Sequence, residues 1–460
     1  MTSRQPSESQ KDRLWMQWTG SVGAMIMLFV CGMMGGWTSP YLAKLTSQDS
    51  PLPITSEEAS WVASLLNFGR LVGAVPGAVS VYYFGSKRTL FLNGFPLIIG
   101  CVCTIVADSV IWLYVARLIS GLCIGMSYSS FPIYLGEISS PATRGALVTL
   151  ACSGSSVGVF AGNVIGAYVS MTVFAYISLV PTAIFMLLFL WMPESPHYFI
   201  RLDKMEEARE SIARYHPGVN IEAELKSLQD FIHAIQSHSL ADKLREFNVP
   251  ANRKAGIIVV LLYVFMQLSG VNSVLFYLEI ILTYGRLTVI SPATMVTIGG
   301  TTAIFGGLTT VYLAAKCGRK TLLIASCVGV AVSLIILGTD FVLLSNGFDS
   351  AQLQWTLVSS VIIYHVFVYI GLCPVPNIVL SELFAPNIKN MAACIASISV
   401  GLFAFISTKI YQPLVNVMGE AYVFWMYAAF MVIGIIFTLI AMPETKGKSL
   451  QEIQAILHKK

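Results

Sequence analysis

The strongest constraint in this chain is a rhythm of long runs almost free of charge. Twelve such runs lie between residues 18 and 442, among them 18–40, 59–84, 256–284, 292–315 and 355–381. Each is about 20 residues or longer, enough for a helix to cross roughly 30 Å of hydrocarbon. Their apolar stretches are continuous rather than alternating, which excludes a transmembrane β-barrel. Charged residues make up only 11% of the chain and hydrophobic residues 55%. A soluble domain carries about a quarter charged residues. The expected fold class is an all-α membrane protein of twelve transmembrane helices, with the lipid bilayer as its solvent.

The placement of basic residues sets an expected orientation. With a cytoplasmic N-terminus, inner segments hold Lys87, Arg88, Arg144, the basic residues of 201–254, Arg319, Lys320, Lys389, Lys446 and Lys448. Outer segments hold little beyond Lys44, Arg286 and Lys409. That asymmetry puts both termini on the cytoplasmic side. The polar N-terminus has no signal-peptide pattern, so the first helix is the expected targeting element.

The nine cysteines are read as small buried apolar residues, because no spacing suggests a metal or redox pair. No Asn-x-Ser/Thr sequon occurs. A phosphate-binding loop, metal-ligand spacing and a nucleophile triad are all missing, so neither an enzyme nor a cofactor is expected. No nucleic-acid partner and no obligate protein partner is evident.

The most informative polar stretch is Met266-Gln267-Leu268-Ser269-Gly270-Val271-Asn272-Ser273, an island inside an apolar run. Lipid satisfies none of its groups, which leaves a solute site or hydrogen bonding between helices. On an ideal helix Ser269, Asn272, Ser273 and Tyr277 share a face, whereas Gln267 lies about 140° from Asn272. Both amides reach one solute only if the helix breaks at Gly270. Arg70, inside the second run, needs a polar interior and a partner, structural or functional.

Residues 193–255 form the one soluble stretch, where 205–215 and 221–235 have helical apolar spacing with charged opposite faces. After it the pattern restarts. Gly318-Arg319-Lys320 echoes Gly85-Ser86-Lys87-Arg88, and Glu382 with Lys389 echoes Glu137 with Arg144 at the same seven-residue spacing. Pro443-Glu444-Thr445 echoes Pro193-Glu194-Ser195. Three echoes in one order indicate two six-helix halves in parallel repeat. The expected organisation is an N-terminal tail (1–17), a first half (18–192), a helical linker (193–255), a second half (256–442) and a C-terminal tail (443–460).

These motifs, with Arg117 and Gly121, Pro132 to Glu137 and Gln267 to Asn272, resemble the sugar porter branch of the major facilitator superfamily. Within that branch, Gly36-Trp37-Thr38-Ser39-Pro40 is similar to the insect facilitated trehalose transporter-like proteins. The resemblance implies a plasma-membrane carrier working by alternating access on a small neutral sugar, trehalose or a hexose. It implies substrate contacts from Gln267, Asn272, Tyr277 and Asn377. It also implies a gate of charged pairs from Glu137, Arg144, Glu382, Lys389, Arg319, Arg117 and Arg88. Departures are many: Cys152, Met266, Ala303 and Ala404 stand where the family places amides, and Asn377 where it places tryptophan. Met33 occupies the position of the aspartate found in proton-coupled members, which implies facilitated diffusion. Two further readings stay open, a sugar sensor with a transporter fold and a carrier of a less polar metabolite.

Overall fold

The computed structural model describes residues 14–140, 143–236, 245–384, 386–446, 448, 452–453 and 456. Among them, eleven helices are long and apolar enough to cross a membrane. The expected run at 292–315 also forms a helix, Pro292–Lys316.

The first half contains α1 (Trp15–Gly36), α2 (Thr38–Thr46), α3 (Ser56–Phe84), α4 (Ser86–Leu92), α5 (Gly94–Ile105), α6 (Val110–Ile138), α7 (Arg144–Tyr168) and α8 (Met171–Trp191). Linker helices follow as α9 (Pro196–Arg201), α10 (Met205–Tyr215) and α11 (Ile221–Gln236). The second half contains α12 (Pro250–Leu268), α13 (Val271–Tyr284), α14 (Pro292–Lys316), α15 (Arg319–Ser345), α16 (Ser350–Phe367), α17 (Pro374–Leu383), α18 (Pro386–Met418) and α19 (Glu420–Ile440).

Without water, helices in a bilayer gain little from hiding apolar surface, so close van der Waals packing must hold them. Glycines supply that closeness between α1 and α7. A Cβ on Gly32 would fall 2.2 Å from the Ser155 carbonyl oxygen, and one on Gly158 2.0 Å from that of Phe29. Helix α3 begins with a capping box, in which the Glu58 N–H donates to Thr55 Oγ1 at 3.2 Å and the Thr55 N–H to Glu58 Oε2 at 2.8 Å. That pair satisfies orphan donors of the first turn.

The linker helices bury a small core of their own around Ile200, Ala208, Ile212 and Leu225. They dock on the first half, where Gln17 Nε2 donates to the Tyr215 carbonyl at 2.8 Å and the Tyr198 hydroxyl to the Tyr83 carbonyl at 3.0 Å. We call this side the linker face and the opposite side the distal face.

The halves touch on the distal side. Ser60 Oγ donates to the Lys409 carbonyl at 3.0 Å, Asn67 Nδ2 to Thr408 Oγ1 at 3.1 Å, and the Glu279 N–H to Ser39 Oγ at 3.1 Å. Phe68 and Phe405 pack with ring centroids 5.2 Å apart. On the linker face no hydrogen bond or ion pair joins the halves among the described residues, and Tyr82, Tyr83 and Phe84 are exposed. The molecule is shut distally and open toward the linker.

Candidate solute site

The seventh apolar run is not one helix. It breaks at Gly270, whose φ of 78° is left-handed, and α13 starts at the next residue. A Cβ there would lie 2.5 Å from two atoms of the Tyr427 ring, so both conformation and space call for glycine. The break frees backbone groups that a membrane interior cannot solvate. Neighbouring hydroxyls take them up: Tyr364 donates to the Ser269 carbonyl at 3.1 Å, and Ser407 Oγ to the Gln267 carbonyl at 3.2 Å. Ser273 Oγ donates to the Ser407 carbonyl at 3.1 Å and accepts from the Tyr427 hydroxyl at 3.2 Å. The Ser273 hydroxyl of the island thus bonds helix to helix, while Ser269 Oγ donates within its own helix to the Met266 carbonyl at 2.6 Å.

Its amides do something else. The turn brings the side chains of Gln267 and Asn272 together, and Asn272 Nδ2 donates to Gln267 Oε1. Among the described residues no protein group is bonded to Gln267 Nε2 or Asn272 Oδ1. A donor and an acceptor are left side by side, the complement of a hydroxyl group.

One turn back on α12, the Tyr263 hydroxyl donates to Asn377 Oδ1 at 2.6 Å, and Asn377 is exposed. Asn377 lies beyond a second interruption, the π-helical turn Val368–Leu372 that separates α16 from α17. Such turns commonly mark functional positions. Across the opening, the Arg70 guanidinium sits 5.0 Å from the Tyr128 ring, and the Tyr128 hydroxyl donates to Ser155 Oγ at 2.9 Å. Arg70 also acts electrostatically on Tyr263. The structure pairs Gln267 with Asn272, Asn377 with Tyr263, and Arg70 with Tyr128. Tyr277 stands apart: it is fully buried and packs on Tyr411 at 4.8 Å on the distal side. Tyr263 and Tyr128 carry no sequence signal beyond a tyrosine in an apolar run, and only the i, i+4 spacing of Tyr263 and Gln267 points to a shared face.

Three sequence expectations need correction. Glu137 and Arg144 do not pair: Ser86 Oγ donates to Glu137 Oε2 at 2.5 Å, while Arg144 Nε reaches Ser139 Oγ at 3.4 Å. Both lie in the first half, and there each takes a serine hydroxyl as its partner. Arg117 is not a salt-bridge residue. It is buried near the distal end of α6, stacks on Trp37 at 4.7 Å and donates to the carbonyls of Val62 at 3.1 Å and Met34 at 2.6 Å, and to Thr38 Oγ1. Backbone carbonyls of α1 and α3 take the place of a carboxylate. The cysteines are not all buried either, since Cys152 and Cys394 are exposed.

In the second half the ion pair does form. Arg319 donates to Glu382 Oε1 from Nη2 at 2.8 Å and from Nε at 3.1 Å. The Lys389 side chain lies outside the described residues. Beneath both clusters a glutamate caps a helix start. Glu194 accepts from the N–H groups of Lys87 and Arg88, each at 2.9 Å, and Arg88 places its guanidinium 5.9 Å from the Tyr198 ring. Glu444 accepts from Arg319 N–H at 2.9 Å and Lys320 N–H at 3.2 Å. The echoes of the sequence are these two caps.

Comparison with known proteins places this geometry. The family model described as "Sugar (and other) transporter" matches residues 14–457. Facilitated trehalose transporter Tret1 of Polypedilum vanderplanki is 30% identical over 94% of this chain and 86% of its own length. Tret1 of Bombyx mori is 30% identical over 97% and 88%, and Tret1 of Anopheles gambiae 28% over 96% and 56%. The chain spans about half the length of several of these relatives. Among solved structures, the inward open conformation of the xylose transporter XylE from E. coli superposes with a TM-score of 0.77 at 20% identity, covering 95% of this chain and 98% of that one. Its proton:xylose symporter structure bound to 6-bromo-6-deoxy-D-glucose gives 0.73 at 19%, covering 97% and 100%. The major facilitator fold is common to them, and with the family model matched from end to end, the chain belongs to the sugar (and other) transporter family.

Proposed function

We propose that this chain is a facilitative carrier of a neutral polyhydroxylated solute, a sugar such as trehalose or a hexose, working by alternating access. The observation that carries the reading is the break at Gly270, which brings the Gln267 and Asn272 amides together with a donor and an acceptor unused among the described residues. The distally shut, linker-open arrangement is one of the two states such a cycle needs. We place the linker face in the cytoplasm, in line with the distribution of basic residues. Met33 in α1 supports uniport.

Radiolabelled uptake in oocytes or proteoliposomes, comparing trehalose, glucose, fructose and polyols, tests this directly. Gln267→Ala and Asn272→Ala each raise the half-saturating concentration about fivefold, one lost hydrogen bond apiece. Accumulation against a gradient at acid pH would rule out uniport. Met266, Ala303 and Ala404, all buried, favour a less polar metabolite as the second reading, and sugars that fail to compete for uptake would point to it.

A further inference from the structure

The shut distal seam contains two polar groups that gain nothing from being shut. Asn163, on α7, is 2% exposed, yet its Nδ2 has no hydrogen-bond partner among the described residues. It faces the bare backbone of Gly300 on α14 in the other half, 3.2 Å from where a Cβ would stand. Glu279, on α13, has its Oε2 buried and unpartnered as well. Burying an amide or a carboxylate atom without a partner is costly, and proteins keep such arrangements where another state satisfies them.

Both groups lie along one turn of the first helical span. The backbone N of Asn163 sits 3.0 Å from where a Cβ on Gly36 would stand, and the Glu279 N–H donates to Ser39 Oγ at 3.1 Å. A third group completes the set. Lys44, at the end of the same span, acts electrostatically on Glu279 across the seam without closing to an ion pair. Its ammonium instead donates to the carbonyls of Gly166 at 2.7 Å and Val169 at 3.1 Å, where α7 ends. Lys44 also lines a distal groove of about 570 Å³ with Tyr41, Leu52, Asp108, Ser170 and Thr172, so the charged end of the seam already borders the distal surface.

We infer that the seam is the shut form of a second polar subsite, on the distal approach to the Gln267–Asn272 pair, in which Asn163 and Glu279 bind hydroxyl groups of the solute when the distal side opens. A neutral polyhydroxylated molecule is the fitting ligand class, since it both accepts from the Asn163 amide and donates to the Glu279 carboxylate. The inference rests on the transport reading above.

The experiment is thiol labelling on the intact carrier. Asn163→Cys is made in a Cys152→Ser, Cys394→Ser background and treated with a membrane-impermeant thiol reagent from the distal side, with and without saturating transported sugar. Expected is labelling that the sugar slows severalfold. In uptake assays Asn163→Ala and Glu279→Ala each raise the half-saturating concentration about fivefold, and Glu279→Gln, which keeps an acceptor, recovers most of the loss. If Asn163→Cys fails to reach the membrane, Ser39→Cys takes its place with the same expectations. A chain that carries sugar while the introduced cysteine stays inert, or reacts at the same rate with sugar present, overturns the inference alone. A wild-type chain that carries none of the sugars tested overturns the transport reading instead.

Discussion

The two halves cap the same turn with the same residue and then neutralise it differently. Glu194 and Glu444 each reach back to two N–H groups at a helix start. Directly after the capped glycine, however, the first half has Ser86 and the second Arg319. Ser86 gives Glu137 a neutral hydroxyl, whereas Arg319 gives Glu382 a two-pronged ion pair. The cap belongs to the fold, because without it orphan donors would face a membrane boundary. The charge belongs to each half separately. Burial pushes the Glu194 carboxyl above its ordinary value, more than the N–H groups of Ser195, Lys87 and Arg88 pull it down, and nearby Glu137 adds a smaller repulsion. Burial acts on Glu444 in the same sense, but backbone N–H groups of Lys446, Arg319, Lys320 and Thr445 outweigh it and hold that carboxyl below.

The largest effects should come from the glycines under the caps. Gly85 has φ 93°, and a Cβ on it would lie 2.7 Å from the Glu194 carboxyl; Gly318 has φ −67°, but its Cβ would lie 2.3 Å from Glu444 Oε2. Gly85→Ala adds backbone strain to the collision and should cost about 2–4 kcal/mol, Gly318→Ala about 1–3. Apparent melting of the detergent-solubilised protein ranks them. A milder effect at Gly85 would show that the first cap tolerates displacement and that the two turns are not equivalent.

Next comes the ion pair. Arg319 and Glu382 are 17% and 25% exposed, and Glu382 Oε2 is already without a partner among the described residues. Arg319→Ala strands a half-buried carboxylate and should cost about 1–3 kcal/mol. Glu382→Ala and Glu137→Ala should both lower uptake while surface abundance stays near normal. Unchanged uptake in both would remove the gate from this face.

The pH dependence separates the caps by sign. Glu444 binds its proton less tightly in the folded chain, so the stability it confers is full above the ordinary value of 4.5 and is lost as pH falls through its lowered one. Glu194 binds its proton more tightly when folded, so stability tied to it falls as pH rises from 4.5 through its raised value. On acidification the wild type should therefore lose melting temperature relative to Glu444→Gln and gain it relative to Glu194→Gln. Equal slopes would mean the clusters are electrostatically alike.

Much of this was readable from sequence because bilayers enforce it. Run length and charge placement give helices, and the capping glutamates betray themselves as repeated Pro-Glu-Ser and Pro-Glu-Thr after each half. Gly270 in a polar island announces a break, since only glycine relieves it. What spacing cannot give is which partner a charged side chain finds. Glu137 and Arg144 stand seven apart whether they pair or not, and here each has a serine hydroxyl as its partner instead. Nor does sequence reveal that Arg117 takes carbonyls as partners, because backbone acceptors leave no residue signature. Asn163 was visible only as one polar residue in a small-residue helix; its orphaned amide is a property of the contact between halves.

The smallest predicted change is the most direct test of the contrast. Ser86→Ala removes the hydroxyl that donates to Glu137 Oε2 at 2.5 Å and should cost about 1 kcal/mol, the ordinary loss for a hydrogen bond. Ser86→Arg instead rebuilds the second half's arrangement in the first, giving Glu137 a cation from its own half. If Glu137 serves as the carboxylate that waits for a partner across the opening, satisfying it locally should slow uptake more than Ser86→Ala does, even though the arginine variant is the more stable of the two. Melting and uptake then move in opposite directions across one pair of substitutions. A purely structural role for Glu137 would move them together, because stability would be the only quantity either variant changes.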